Sequence, residues 1–122
     1  MNNEQKLILA VDDAPFLLQT LKMHLSDSPY KIVCVTSGAD ALRFIEKKTP
    51  DLYILDVEMP EMDGYELAMN IMELGKKAPI IFLTGNSDKE SVAKALTVGA
   101  SDFIIKPINK EQALSRIAKV LG

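Results

Sequence analysis

Five short apolar runs, each followed by a segment with helical spacing, constrain this 122-residue chain more than any other feature. The runs are Leu7–Val11, Lys31–Thr36, Leu52–Val57, Pro79–Leu83 and Asp102–Ile105. The first, and the third as far as Asp56, are apolar without alternation, the pattern of strands buried on both faces. Strand and helix in strict alternation predict an α/β fold, a parallel sheet with helices on both faces. Parallel strands bring all their C-terminal ends to one edge, and open sheets bind ligands there, where the strand order reverses.

The helix signals fit the same frame. Asp13 is a candidate cap and Pro15 suits a first turn, with Leu17, Leu18, Leu21 and Leu25 as the inward stripe. Ser37-Gly38-Ala39-Asp40 reads as a capping box ahead of Ala41, Leu42 and Ile45. Asp63 with Glu66 opens a third helix that buries Leu67, Ile71 and Leu74 and stops at Gly75. Ser87 with Glu90 opens a fourth, carrying Val92, Ala95 and Leu96 and stopping at Gly99. Asn109 with Gln112 opens the last, with Leu114, Ile117, Ala118 and Leu121 inward. Phe16, Phe44 and the methionines read most simply as packing residues, although Phe16 equally suits a surface.

Length and composition bound the function. One domain over 1–122 is expected. Hydrophobic residues make up 48% and charged residues 25%, ordinary for a globular chain. The single cysteine, Cys34, excludes a disulfide frame and a thiolate zinc site, and reads as a small buried apolar residue. No run reaches the roughly 18 to 20 apolar residues of a membrane span, and the N-terminus is no signal peptide, so a cytoplasmic location is expected. With a net charge of −3 and no basic block, direct nucleic-acid binding is not expected.

Chemistry concentrates at the strand ends. The first strand ends in Asp12-Asp13, the third in Asp56, the fourth in Thr84 and the fifth in Lys106. Carboxylates gathered this way repel by about 4 kcal/mol per pair at 4 Å and an effective dielectric near 20. A raised pKa or a bound cation relieves that cost. With oxygen ligands alone the cation is hard, such as Mg²⁺, which completes its shell with water and phosphate oxygens. Lys106 and Thr84 then serve the remaining phosphate oxygens, and Asp56 is left as a nucleophile able to take a phosphoryl group as an acyl phosphate. The plainer alternative is a structural acid cluster with Lys106 as counter-ion.

These residues resemble a known family. Val11-Asp12-Asp13, Asp56-Val57-Glu58-Met59-Pro60-Glu61-Met62-Asp63-Gly64, Leu83-Thr84-Gly85 and Gly99-Ala100-Ser101-Asp102-Phe103-Ile104-Ile105-Lys106-Pro107 are similar to the receiver domain of two-component response regulators, and the likeness covers essentially the whole chain. It implies a flavodoxin-like, doubly wound (βα)5 fold with five parallel strands in the order 2-1-3-4-5. Asp56 is then the residue phosphorylated by a histidine kinase or histidine phosphotransfer protein. Asp13 ligates Mg²⁺ directly, with Mn²⁺ as a substitute, Asp12 helps through water, and Glu58 offers its backbone carbonyl. Lys106 binds the phosphoryl group, Thr84 and Phe103 form a switch pair, and Glu58 and Asn86 occupy positions that tune the phosphoryl lifetime. The Lys106-Pro107 bond is expected to be cis.

The same resemblance implies a signalling module, with self-catalysed phosphotransfer and slow self-dephosphorylation, rather than an enzyme. Its output would pass through the surface of the fourth helix, fifth strand and fifth helix to an unknown downstream protein or domain. It would act as a monomer or a phosphorylation-promoted dimer, free-standing or excised from a longer protein. A flavin-binding reading fails on Asp12-Asp13-Ala14-Pro15, which offers acids where a phosphate loop needs N–H donors. A phosphatase of the Asp-x-Asp type lacks its second acid at the end of the first strand. A pseudo-receiver that binds partners without phosphorylation is the remaining alternative.

Overall fold

The computed structural model describes residues 5–85 and 89–121, with the backbone alone at Lys89, Ser91 and Val92. Its elements alternate as β1 (Leu7–Val11), α1 (Pro15–His24), β2 (Lys31–Val35), α2 (Gly38–Ile45), β3 (Leu52–Asp56), α3 (Gly64–Glu73), β4 (Ile80–Thr84), α4 (Lys89–Thr97), β5 (Asp102–Ile105) and α5 (Lys110–Leu121). The five strands form one parallel sheet in the order β2-β1-β3-β4-β5.

Alternation along the strands divides the core into two layers. Leu9, Val11, Tyr53, Leu55 and Phe82 face α2, α3 and α4, whose Ala41, Ile45, Leu67, Ala68, Ile71 and Ala95 close that side. Ile8, Ala10, Ile54, Ile81, Leu83 and Ile104 face α1 and α5 through Leu18, Leu21, Ala113 and Ile117. β1, β3 and β4 are buried throughout, while the edge strands β2 and β5 are only partly covered. Each buried Leu or Ile contributes roughly 1.5–3 kcal/mol of transfer free energy. The chain winds first to β2 and then back past β1 to β3, so the order reverses between β1 and β3, and a crevice opens at their C-terminal ends.

Three expected caps are formed. Ser37 accepts from the Asp40 N–H at 3.1 Å, Asp63 from the Glu66 N–H at 2.8 Å, and Asn109 from the Gln112 N–H at 3.0 Å. α3 closes on Gly75 at φ +72, with Gly75 N–H on the Met72 carbonyl and Lys76 N–H on the Ile71 carbonyl, a Schellman ending that needs a left-handed residue. The Ser87 cap lies outside the described residues, as does any burial of Val92.

The sequence expectations need several corrections. Asp13 does not cap α1: Ala14 holds the N-cap position without a side-chain bond, and Asp12 accepts from the Ala14 N–H at 2.9 Å instead. Leu74 is exposed because it is the C-cap residue, past the last turn that rests on the sheet. Leu96 is exposed because its small neighbour Ala95 takes the sheet-facing position on α4. Ala118 falls one position off the Ala113–Ile117 stripe and faces solvent. Phe16, at 79% exposure, is no packing residue, and Met23, Met69 and Met72 are exposed as well. Cys34 is half-buried rather than buried, and burial, opposed by nearby Lys22, raises its thiol pKa.

Candidate functional site

Register assembles the site. Val11 is paired with Leu55, so Asp12 and Asp56 follow side by side at the ends of β1 and β3. Both carboxylates are buried, Asp56 at 1% exposure, whereas Asp13 is exposed at the rim. One carboxylate oxygen from each of Asp12, Asp13 and Asp56 lies within 4.8 Å of the others. Lys106, just past β5, is fixed by its own N–H on the Thr84 carbonyl at 2.8 Å. Its ammonium donates to Asp56 Oδ1 at 2.9 Å and pairs with Asp12 Oδ2 at 3.2 Å. Asp56 Oδ1 also accepts a long bond from the Glu58 N–H at 3.3 Å. The Lys106–Pro107 peptide is cis.

Three acids facing one ammonium leave a negative surplus. Burial pushes the Asp56 carboxyl up from 3.8 to about 6, with Asp12 adding to the rise and Lys106 and the Glu58 N–H opposing it. Burial alone would lower the Lys106 pKa, but Asp56 and Asp12 outweigh it and the ammonium is held above its usual value. Asp12 Oδ2 is buried and receives no directed hydrogen bond, only the ion pair with Lys106. A buried carboxylate oxygen that shares its one ammonium partner with Asp56, beside two further carboxylates, suits a hard divalent cation such as Mg²⁺.

Thr84, Phe103 and Glu58 lie on or just past the strands that end at this edge. Thr84 is buried as the last residue of β4. The pairs Phe82–Phe103 and Thr84–Ile105 put Thr84 and Phe103 on the same sheet face, one step apart diagonally. Phe103 is half-buried against the layer under α2–α4. Glu58 is exposed, and its Oε1 lies 3.8 Å from where a Cβ on Gly85 would stand, across the mouth of the site. Asn86 lies outside the described residues.

Two residues at or near the site escaped the sequence reading. Gly64, the first residue of α3, donates its N–H to the Val57 carbonyl at 3.0 Å, and a Cβ there would overlap the Asp56 carbonyl oxygen. The Asp63-Gly64 pair was legible as a helix start, but not as a close approach beneath Asp56. Arg116 on α5 lies over Phe103 and pairs with Asp102, a juxtaposition with no local sequence signal.

Residues 8–118 match the response regulator receiver domain family. The chain belongs to that family. Among characterised relatives, this receiver is 34% identical over 121 residues to the response regulator protein TmoT of Ectopseudomonas mendocina, covering 99% of this chain and 55% of that protein. It is 32% identical over 111 residues to the transcriptional regulatory protein KdpE of Mycobacterium tuberculosis, covering 91% of this chain and 49% of the other. The receiver thus spans about half the length of these relatives. Among solved structures, the chemotaxis protein CheY4 of Vibrio cholerae superposes with a TM-score of 0.91 at 31% identity, over 97% of this chain and all of that one. The signal receiver domain of a signal transduction histidine kinase from Syntrophus aciditrophicus gives 0.84 at 38% identity, over 95% and 89% of the two chains. The flavodoxin-like class and the strand order 2-1-3-4-5 hold for this receiver. Among the described residues no helix is long and apolar enough to cross a membrane.

Proposed function

We propose that residues 1–122 form one cytoplasmic receiver that takes a phosphoryl group onto Asp56 from a histidine kinase or a histidine phosphotransfer protein. The observation that carries this is Asp56 itself: a buried carboxylate at the end of the central strand, 2.9 Å from the Lys106 ammonium and beside Asp12 and Asp13. At neutral pH a carboxyl titrating at about 6 is mostly ionised, and the carboxylate is the form that attacks phosphorus. Its oxygen forms a bond to phosphorus as the phosphorus–nitrogen bond of the phosphohistidine breaks, and the imidazole, already protonated on its other ring nitrogen, leaves as the neutral base. Attack by water on the acyl phosphate later releases inorganic phosphate and restores the carboxylate.

Asp12, Asp13, Asp56 and the Glu58 carbonyl would hold Mg²⁺ or Mn²⁺, which supplies charge neutralisation to the incoming phosphoryl oxygens when bound. Lys106 offsets a further charge on the phosphoryl group. Thr84 turns its hydroxyl towards that group, and Phe103 moves into the vacated space. Glu58 and Asn86 tune how readily water reaches phosphorus. The donor docks at the start of α1, where Phe16 is exposed shortly after Asp12 and Asp13 in the chain. The altered surface of α4, β5 and α5, near Lys94, Thr97 and Ser101, is read by a downstream protein or domain, with the receiver as a monomer or a phosphorylation-promoted dimer. No separate enzymatic activity is assigned. The pseudo-receiver reading is disfavoured because the three acids and Lys106 converge in one centre.

Incubation with acetyl phosphate and Mg²⁺, followed by mass spectrometry, tests the proposal. One phosphoryl group is expected, on Asp56, and none in Asp56→Asn. Undiminished labelling of that variant would overturn the assignment. Asp13→Ala is expected to lose Mg²⁺ affinity, measured by calorimetry, and unchanged affinity would remove Asp13 from the ligand set.

A further inference from the structure

We propose that Arg116 is a positioning residue for the switch aromatic, holding Phe103 where it stands in the unphosphorylated receiver. The inference rests on the Thr84–Phe103 relay proposed above and deepens it. β5 is an edge strand, and its side chains alternate between the two sheet faces. Asp102 and Ile104 lie on the α5 side, Phe103 on the opposite side. Arg116 nevertheless meets both. Its Nη1 donates to Asp102 Oδ1 at 2.7 Å, and its guanidinium carbon lies 5.8 Å from the Phe103 ring centre. The guanidinium therefore wraps around the free edge of the strand.

The clamp is tied to the backbone it acts on. Asp102 Oδ1, which receives Arg116, also accepts the Phe103 N–H at 2.8 Å. One carboxylate oxygen thus fixes the guanidinium and the peptide that carries the ring. Arg116 Nε is buried without a hydrogen-bond partner, so part of the cation is desolvated against the ring. A cation over an aromatic face in such a setting is worth a bias of roughly 2- to 10-fold. Moving Phe103 towards the space behind Thr84 takes the ring away from Arg116, while the ion pair with Asp102 persists. Arg116 thereby opposes the switched state and sets the threshold that phosphorylation must overcome.

The test uses 4-fluorophenylalanine and fluorine NMR on the whole chain. Phe16, Phe44, Phe82 and Phe103 give four signals, and loss of one in Phe103→Leu assigns the reporter. In unphosphorylated Arg116→Gln the Phe103 signal is expected to move towards its position with Mg²⁺ and beryllofluoride, a phosphoryl mimic. Beryllofluoride is expected to bind roughly 2- to 10-fold more tightly. Arg116→Lys, which keeps the charge but not the flat face, should fall between. The gain should vanish when Arg116→Gln is combined with Phe103→Leu. An unmoved Phe103 signal in Arg116→Gln, or an equal gain without the ring, would overturn the clamp. If beryllofluoride leaves the wild-type signal in place, the relay itself fails and the clamp's bias with it. A moving wild-type signal beside an unmoved Arg116→Gln signal overturns the clamp alone.

Discussion

Replacing Asp56 by Asn should stabilise the metal-free receiver at neutral pH although it removes the proposed reactive group. Asn is close in shape to a protonated Asp56, so the variant reports the cost of ionising that carboxyl inside the fold. Folding moves its pKa from 3.8 to about 6, chiefly by burial and despite the 2.9 Å bond from Lys106. At 1.36 kcal/mol per tenfold change in proton affinity, the ceiling is roughly 3 kcal/mol. The sign follows from linkage. Below about pH 3 the carboxyl is protonated in both folded and unfolded chains, and the two proteins should differ little. Between pH 4 and pH 6 the unfolded chain releases its proton first, so wild-type stability falls relative to the variant as pH rises. Above about pH 6 the gap is constant. Urea denaturation in EDTA measures it, and at an m-value of roughly 1–3 kcal/mol/M the midpoint should rise by at most about 1–3 M near pH 7.5. Adding Mg²⁺ should narrow the gap by stabilising the wild type more. A variant less stable than wild type at pH 7.5, or a gap unchanged between pH 4 and pH 8, would refute this account of the buried charge.

Other substitutions test the scaffold and the docking face. Gly64→Ala places a methyl against the Asp56 carbonyl and should cost about 1–3 kcal/mol in urea denaturation while slowing acetyl-phosphate labelling, because backbone rather than a side chain must yield. Tyr53→Phe removes the 2.7 Å bond from the Tyr53 hydroxyl to the Lys76 carbonyl at the far end of β3 and should cost about 1 kcal/mol with phosphorylation unchanged. Phe16→Asp should slow transfer from a histidine phosphodonor and leave labelling by acetyl phosphate intact; equal slowing of both would place Phe16 in the chemistry rather than in docking.

The sheet was legible because its central strands announce themselves. Leu7–Val11 and Leu52–Leu55 are apolar on both faces, and an acid directly after such a run has only one place to go. Strand alternation then brings Asp12, Asp56, Thr84 and Lys106 to one edge without any knowledge of side-chain geometry. Helix faces were harder to read. Leu74 and Leu96 carry the right residue type at the right spacing, yet one falls past the last turn and the other beside a small sheet-facing alanine. Asp13 looked like a cap because acids precede helices. The neighbouring Asp12 takes the Ala14 N–H, leaving Asp13 exposed at the rim of the acid cluster. Arg116 was invisible because its partners are 13 and 14 residues away and its role depends on wrapping an edge, which no periodicity encodes.

That wrapped edge also bears on how the molecule meets its own kind. An edge strand presents unpaired backbone groups that invite another strand, the usual route to sheet extension and aggregation. β5 is only four residues long, and the Arg116 side chain crosses its border to hold Asp102 and cover Phe103. An incoming strand would have to displace that guanidinium before it could reach the β5 backbone. At its Asp102 end this border therefore offers a paired side chain where an unguarded edge would offer free backbone groups.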